Sequence, residues 1–170
     1  MKCSLYRIVL SVIASVSLAG FASAAEVGAF YQVAPGPLHG RRGDLIRSEP
    51  MAGAPAGSSA MRVLYVSTGL DGNPIPVSGV VVFPTVASSV GPRKVVAWAH
   101  PTSGIASACA PSSYGRRFFA TIPGLSEMLA RGYVVTATDY PGLGTAGPHP
   151  YLIGLSGGRA VLDSVRAARR

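Results

Sequence analysis

Cysteine is nearly absent. The 170 residues hold two, Cys3 and Cys109. With so few, an internal disulfide framework is excluded, and so are CxxC redox and zinc motifs. Acid is also scarce: seven Asp and Glu stand against fifteen Lys and Arg, for a formal charge of +8. Histidine occurs three times, as His39, His100 and His149, and none follows Ser156. No group of His, Cys, Asp or Glu has metal-ligand spacing, and no glycine-rich phosphate loop or internal repeat is visible, so no metal and no cofactor is expected. After residue 24 there is no second long apolar run, so no stable membrane span is expected beyond that point.

What is present begins with the compartment. Lys2 and Arg7 give a basic start, residues 8–20 are almost entirely apolar or small, and Ala22-Ser23-Ala24 supplies a small-residue cleavage pattern. That combination defines a secretory signal over residues 1–24, cleaved near Ala24. Its apolar stretch is shorter than the ~20 residues a membrane span requires. The expected location is secreted or periplasmic. Thiols oxidise there, so Cys109 is either buried and inert or paired with a cysteine beyond Arg170.

Four basic residues, Arg159, Arg166, Arg169 and Arg170, lie in the last segment, and Arg41 and Arg42 form another pair. They read best as solvated faces. No basic residues interleave with aromatics, so nucleic acid is not an expected partner. The competing reading of the charge is a non-enzymatic exported protein that binds anionic envelope polymers.

Residues 25–60 form an N-terminal segment rich in Gly, Pro and Arg, for which little regular structure is expected. Residues 61–170 read as a partial α/β domain. Residues 62–68 and 77–83 read as strands joined through Asp71-Gly72-Asn73-Pro74, an antiparallel hairpin with a slightly long loop. Residues 94–99 and 133–138 are continuous apolar runs, the mark of strands buried on both faces. Between them, residues 123–131 read as a helix with Pro123 in its first turn and Gly132 as its cap. Strand, helix, strand at this spacing argues a parallel βαβ unit. Residues 158–170 read as a last helix whose face is Val161, Leu162, Val165 and Ala168. No strand follows to bring that crossover back to the sheet, so the fold is expected to be incomplete.

Ligands of open α/β sheets sit at the carboxyl ends of the strands. Two loops lie there: His100-Pro101-Thr102-Ser103-Gly104 and Asp139-Tyr140-Pro141-Gly142-Leu143-Gly144. The first can donate N–H groups from Thr102 or Ser103 to a developing oxyanion. Gly154-Leu155-Ser156-Gly157-Gly158 fits G-x-S-x-G, but a nucleophile elbow needs a buried strand ahead of it. No helical crossover separates residue 140 from 154, as parallel pairing would require. Ser156 therefore reads as a helix N-cap. His39 lies in the irregular segment, His149 lies between two prolines, and Asp163 reads as a solvated residue of the last helix.

These residues resemble a family. Leu64-Tyr65-Val66-Ser67-Thr68, Asp71-Gly72 and Val77-Ser78-Gly79-Val80-Val81 look like the opening of secretory lipases of the α/β-hydrolase superfamily, the fungal lipase-A-like branch and its bacterial relatives. Ala97-Trp98-Ala99-His100-Pro101-Thr102-Ser103-Gly104, with Cys109-Ala110-Pro111-Ser112, is similar to the loop after that branch's third strand. Asp139-Tyr140-Pro141-Gly142-Leu143-Gly144, His149-Pro150-Tyr151-Leu152 and residues 161–168 resemble its next signatures.

The resemblance spans roughly residues 30–170 and implies the N-terminal half of an α/β-hydrolase fold. It implies hydrolysis of a lipid or small-molecule ester through a Ser nucleophile. Nucleophile, acid and His would all lie beyond Arg170, so no catalytic residue is expected in this chain and the chain alone would be inactive. Thr102 and Ser103 would line the oxyanion hole, and Cys109 would pair with a later cysteine. Many relatives have Gly after the loop's His; Pro101 stands here and removes that N–H. A peptidase or acyltransferase would share these features.

Overall fold

The computed structural model describes residues 28–89 and 91–170. The secretory signal expected over residues 1–24 lies outside the described residues. Five strands, β1 (Leu45–Pro50), β2 (Ser58–Thr68), β3 (Pro74–Pro84), β4 (Val95–Trp98) and β5 (Val134–Thr138), and two α-helices, α1 (Leu125–Ala130) and α2 (Gly154–Ala167), carry the architecture. The sheet order is β1-β2-β3-β5-β4. The first three pairings are antiparallel, and β4 pairs with β5 in parallel. The expected hairpin and βαβ unit thus join into one mixed sheet.

The hairpin forms where β-branched residues are densest. Its loop closes locally: Asn73 N–H donates to Asp71 Oδ1 at 3.0 Å, an Asx turn. The chain crosses from β4 to β5 through a 3₁₀ stretch, Pro111–Thr121, broken at Gly115, and then α1. That layer buries Phe118, Phe119, Ile122, Leu125 and Leu129 against Val80, Val82, Val135 and Ala137. The other sheet face presents Val63, Tyr65, Val77 and Val81 to Ala160 and Ala167 of α2. Successive residues of a strand go to opposite helical layers, as the pleat demands.

Several expectations are corrected. The segment expected to be irregular contains β1. This edge strand alternates weakly and carries a bulge between Leu45 and Arg47. Its exposed positions, Leu45, Arg47, Ser48 and Pro50, mix apolar and polar residues, so no period-two pattern is left in its sequence. β4, expected to be buried on both faces, is half-buried along its whole length. It is the last strand of the sheet on its side, with β5 as its one neighbour.

The last helix begins four residues earlier than expected, and its buried face is different. Ser156, Ala160, Asp163, Ser164 and Ala167 face inward, while Leu155 and Leu162 are each 58% exposed. Asp163, expected to be solvated, is 1% exposed. Hydrogen bonding reverses the apparent polarity. Ser67 Oγ donates to Asp163 Oδ2 at 2.7 Å, Arg166 Nη1 donates to Asp163 Oδ1 at 2.6 Å, and Thr136 Oγ1 donates to the Ser164 carbonyl at 3.3 Å. Small side chains let the helix approach the sheet closely enough for these bonds. Ser67→Ala removes one of the two partners of a buried carboxylate, and bonds to charged groups are worth about 2 kcal/mol. Urea unfolding should record a loss of that size.

Candidate active site

The parallel pairing sends the ends of β4 and β5 to the same edge of the sheet, so residues 100–104 and 139–144 become neighbours. The turn at residues 148–153 and the start of α2 complete a cavity of about 650 Å³. His100, Ser103, Tyr140, His149, Tyr151 and Ser156 are among its lining residues. A larger hollow, about 960 Å³, lies under the starts of β4 and β5, beside Arg93, Lys94 and Arg131. The smaller cavity is the candidate site, because carboxyl strand ends are where open α/β sheets bind ligands.

Asp139, the first residue after β5, anchors the site from below. It is 1% exposed. Its Oδ1 accepts from the Ser112 N–H at 2.8 Å, and its Oδ2 accepts from Ser112 Oγ at 2.5 Å and Ser78 Oγ at 2.6 Å. Tyr31 reaches Ser112 Oγ at 2.8 Å through its hydroxyl. Burial pushes the Asp139 carboxyl up from its ordinary range, against the pull of the Ser112 and Ser78 bonds and of His100.

The first loop hangs from this anchor. His100 Nε2 lies 3.3 Å from the Asp139 carbonyl, and Nδ1 lies 2.7 Å from the Pro101 carbonyl. The Tyr140 ring packs 4.5 Å from the His100 ring, and its hydroxyl donates to the His100 carbonyl at 3.4 Å. Tyr140 holds φ +69°, a left-handed backbone rare for a tyrosine. Such strain persists only where surrounding contacts enforce it. Thr102 Oγ1 meets the Tyr151 hydroxyl at 3.0 Å, tying the loop to the segment before α2.

The residues singled out from the sequence fall in different places. Thr102 and Ser103 lie on the cavity wall. Their N–H groups, and that of Gly104, donate to no carbonyl of the described residues. Ser156 also lines the cavity, but it is not an N-cap: Ile153 holds that position and Ser156 is the third helical residue, 3% exposed. Residues 151–153 form a turn with Leu152 at φ +62°, so no strand leads into Gly154. Cys109 is half-buried and unpaired among the described residues, and Gly104 leaves room for it: a Cβ on Gly104 would lie 2.4 Å from Cys109 Sγ.

His39 is exposed, away from the cavity. His149 joins the site, with Nδ1 2.8 Å from the Pro141 carbonyl. Spacing identified neither this histidine, which a local turn brings back to Pro141, nor Ser78 and Ser112, whose partner Asp139 is distant in sequence. No group of three His, Cys, Asp or Glu among the described residues could hold a metal.

The family model described as secretory lipase matches residues 120–170. A ligand-bound form of the rice cell wall degrading esterase LipA from Xanthomonas oryzae superposes with a TM-score of 0.63 at 30% identity, over 76% of this chain and 38% of that one. Candida antarctica lipase A in its closed state superposes with a TM-score of 0.59 at 23% identity, over 76% of this chain and 32% of that one. No curated protein matches the chain. The mixed sheet with a helical layer on each face is that of an α/β-hydrolase. Over the residues compared, the chain is secretory-lipase-like, and it spans well under half the length of these relatives.

Proposed function

We propose that this chain forms the oxyanion-side part of an exported carboxylic-ester hydrolase, with the nucleophilic Ser, the acid and the catalytic His supplied by residues outside the chain. The observation that carries the reading is the first loop. Three consecutive N–H groups, of Thr102, Ser103 and Gly104, donate to no carbonyl of the described residues and stand beside a largely apolar cavity at the ends of two parallel strands. Free N–H donors held in place beside a water-poor pocket are what a developing oxyanion requires.

Two imidazoles, His100 and His149, and two serines, Ser103 and Ser156, line the cavity without forming a triad. Both nitrogens of His100 lie against backbone carbonyls, and Ser156 Oγ bonds to no described residue. Acyl transfer needs a nucleophile with a base in contact, so the serine that attacks belongs elsewhere. The polymer-binding alternative loses support from the ion pairs of the basic residues. Arg166 is paired with Asp163 at 2.6 Å and Arg170 with Asp44 at 2.9 Å, which leaves less free positive charge than the composition implies.

Hydrolysis of p-nitrophenyl butyrate tests the proposal. The product of the complete gene should turn over the ester, and residues 1–170 alone should stay at background. Turnover by 1–170 that disappears in Ser156→Ala would place the nucleophile in this chain and overturn the assignment.

A further inference from the structure

The first turn of α2 meets the cavity without a cap. Ile153 stands at the N-cap with no side-chain oxygen to offer, and the N–H groups of Gly154 and Leu155 donate to no described residue. Such orphan donors give a helix N-terminus roughly half a positive charge. A buried hydroxyl joins them. Ser156 is 3% exposed, lines the cavity, and its Oγ bonds to no described residue. Unlike the sealed hydroxyl of Ser103, the Ser156 Oγ keeps accessible surface, and the cavity is what it opens on. The glycines of this turn point the same way. Gly154, Gly157 and Gly158 share the wall, and none has a positive φ. A Cβ at Gly157 would meet nothing nearer than Tyr140 Cε1 at 3.7 Å, and at Gly154 or Gly158 it would meet nothing within 4 Å. Neither packing nor backbone conformation requires glycine here, and glycine costs a helix stability relative to alanine. Bare backbone suits the close approach of a ligand. No Asp or Glu is among the described residues lining the cavity, so the wall offers donors and no competing carboxylate.

We propose that the start of α2 is a subsite for a free carboxylate, which accepts from the Gly154 N–H and the Ser156 hydroxyl. The proposal rests on the ester-hydrolase reading and names the substrate class: an ester whose acyl part ends in a second, ionised carboxyl group. A helix N-terminus binds anions through its unpaired N–H groups and its dipole together, and hydrogen bonds to a charged acceptor are roughly twice as strong as neutral ones. The oxyanion loop and the start of α2 line one cavity of about 650 Å³, so a half-ester of a short dicarboxylic acid can touch both. The acid released by hydrolysis presents the same chemistry, and the experiment separates the two sources.

The test compares mono-p-nitrophenyl adipate with p-nitrophenyl hexanoate, acyl groups of equal length with and without the terminal carboxylate, in the product of the complete gene. Wild type should favour the adipate ester in kcat/KM. Ser156→Ala should cut the adipate-to-hexanoate ratio about tenfold, the worth of one hydrogen bond to a charged group. Gly154→Pro removes the other donor and should cut the ratio by a similar factor. Proline suits the first helical position, and Ile153 already has the extended backbone, ψ 98°, that a residue before proline adopts, so Tm should hold. Free hexanoate serves as a competitive inhibitor. Inhibition that both variants weaken, with no preference between the esters, supports the subsite and assigns it to the released acid. A ratio and an inhibition that neither variant changes overturn the subsite and leave the ester-hydrolase reading standing. A Ser156→Ala protein that loses Tm while keeping the ratio shows that the hydroxyl bonds a protein group, and also overturns it. Wild-type protein that hydrolyses neither these esters nor p-nitrophenyl butyrate overturns the underlying reading, and this substrate class with it.

Discussion

Asp139→Ala should destabilise the fold by about 3–5 kcal/mol, the range for leaving several buried polar groups without their partner. The carboxylate is the acceptor for Ser112 N–H, Ser112 Oγ and Ser78 Oγ, all within 2.8 Å. Those donors belong to buried residues, with Ser78 and Ser112 at 0% exposure, so water cannot replace the lost acceptor without opening the core. Asp139→Asn is different. Its carboxamide oxygen can still accept from the Ser112 N–H, and the serine hydroxyls can turn to accept from its NH₂. Urea unfolding should therefore rank wild type and the Asn variant close together at neutral pH and the Ala variant far below.

Wild type and Asp139→Asn should separate with pH. The Asp139 carboxyl titrates above its ordinary 3.8 in the folded state because burial disfavours its charge. Between the unfolded and the raised folded value, the folded protein holds more protons. Stability from this group is then complete below about pH 4 and falls as pH rises through the folded value. Asp44 and Asp71 act oppositely: backbone and side-chain bonds hold their carboxyls low, so what they contribute is lost on acidification. Subtracting the stability curve of the Asp139→Asn protein from that of wild type isolates the Asp139 carboxyl. The difference should decline from pH 4 upward and then level off; a rising difference would show that the serine bonds outweigh burial.

How much of this could be read from the residues depended on the range of the interaction. The hairpin and the βαβ unit are written in local patterns: Asp71-Gly72 between two β-branched runs, and two continuous apolar runs flanking a short helix. The position of Thr102 and Ser103 followed from one rule about strand ends. What stayed hidden was held by contacts between distant segments. The inward face of α2 carries Ser156, Asp163 and Ser164, which an apolar-periodicity argument assigns to solvent. It is buried because Ser67 and Thr136, far back in the chain, supply partners. β1 was hidden because Leu-Ile-Arg-Ser-Glu-Pro carries neither alternation nor an apolar run, and only its pairing with β2 makes it a strand. His149 entered the site through a shorter contact, the turn after Gly144 folding back over Pro141, which no periodicity marks.

Gly79→Ala should cost about 3 kcal/mol or more and damage the site from a distance. Gly79 lies inside β3, among valines, where a valine would otherwise suit the strand. Its partner across the sheet is Thr138, next to Asp139. A Cβ at Gly79 would lie 2.4 Å from the Ala137 carbonyl oxygen and 3.1 Å from Thr138 Cα. Both neighbours are backbone in a central ladder, so neither yields without breaking hydrogen bonds, and overpacking commonly costs about 1–3 kcal/mol even where side chains can give way. The displacement has a direction. Pushing β5 from β3 lengthens the Asp139 N–H bond to the Ser78 carbonyl, 2.8 Å in the native sheet, and the Ser78 Oγ bond to the carboxylate. The carbonyl of Asp139 moves with it, loosening the His100 ring and the loop that carries Thr102 and Ser103. Thermal melting should show a drop of about 6–12 °C, taking 2–4 °C per kcal/mol for a domain of this size. Amide exchange at Asp139, whose N–H bonds the Ser78 carbonyl, should rise more than at β1, whose pairing with β2 does not touch β5. Equal loosening at both places would mean that the added Cβ does not push β5 from β3.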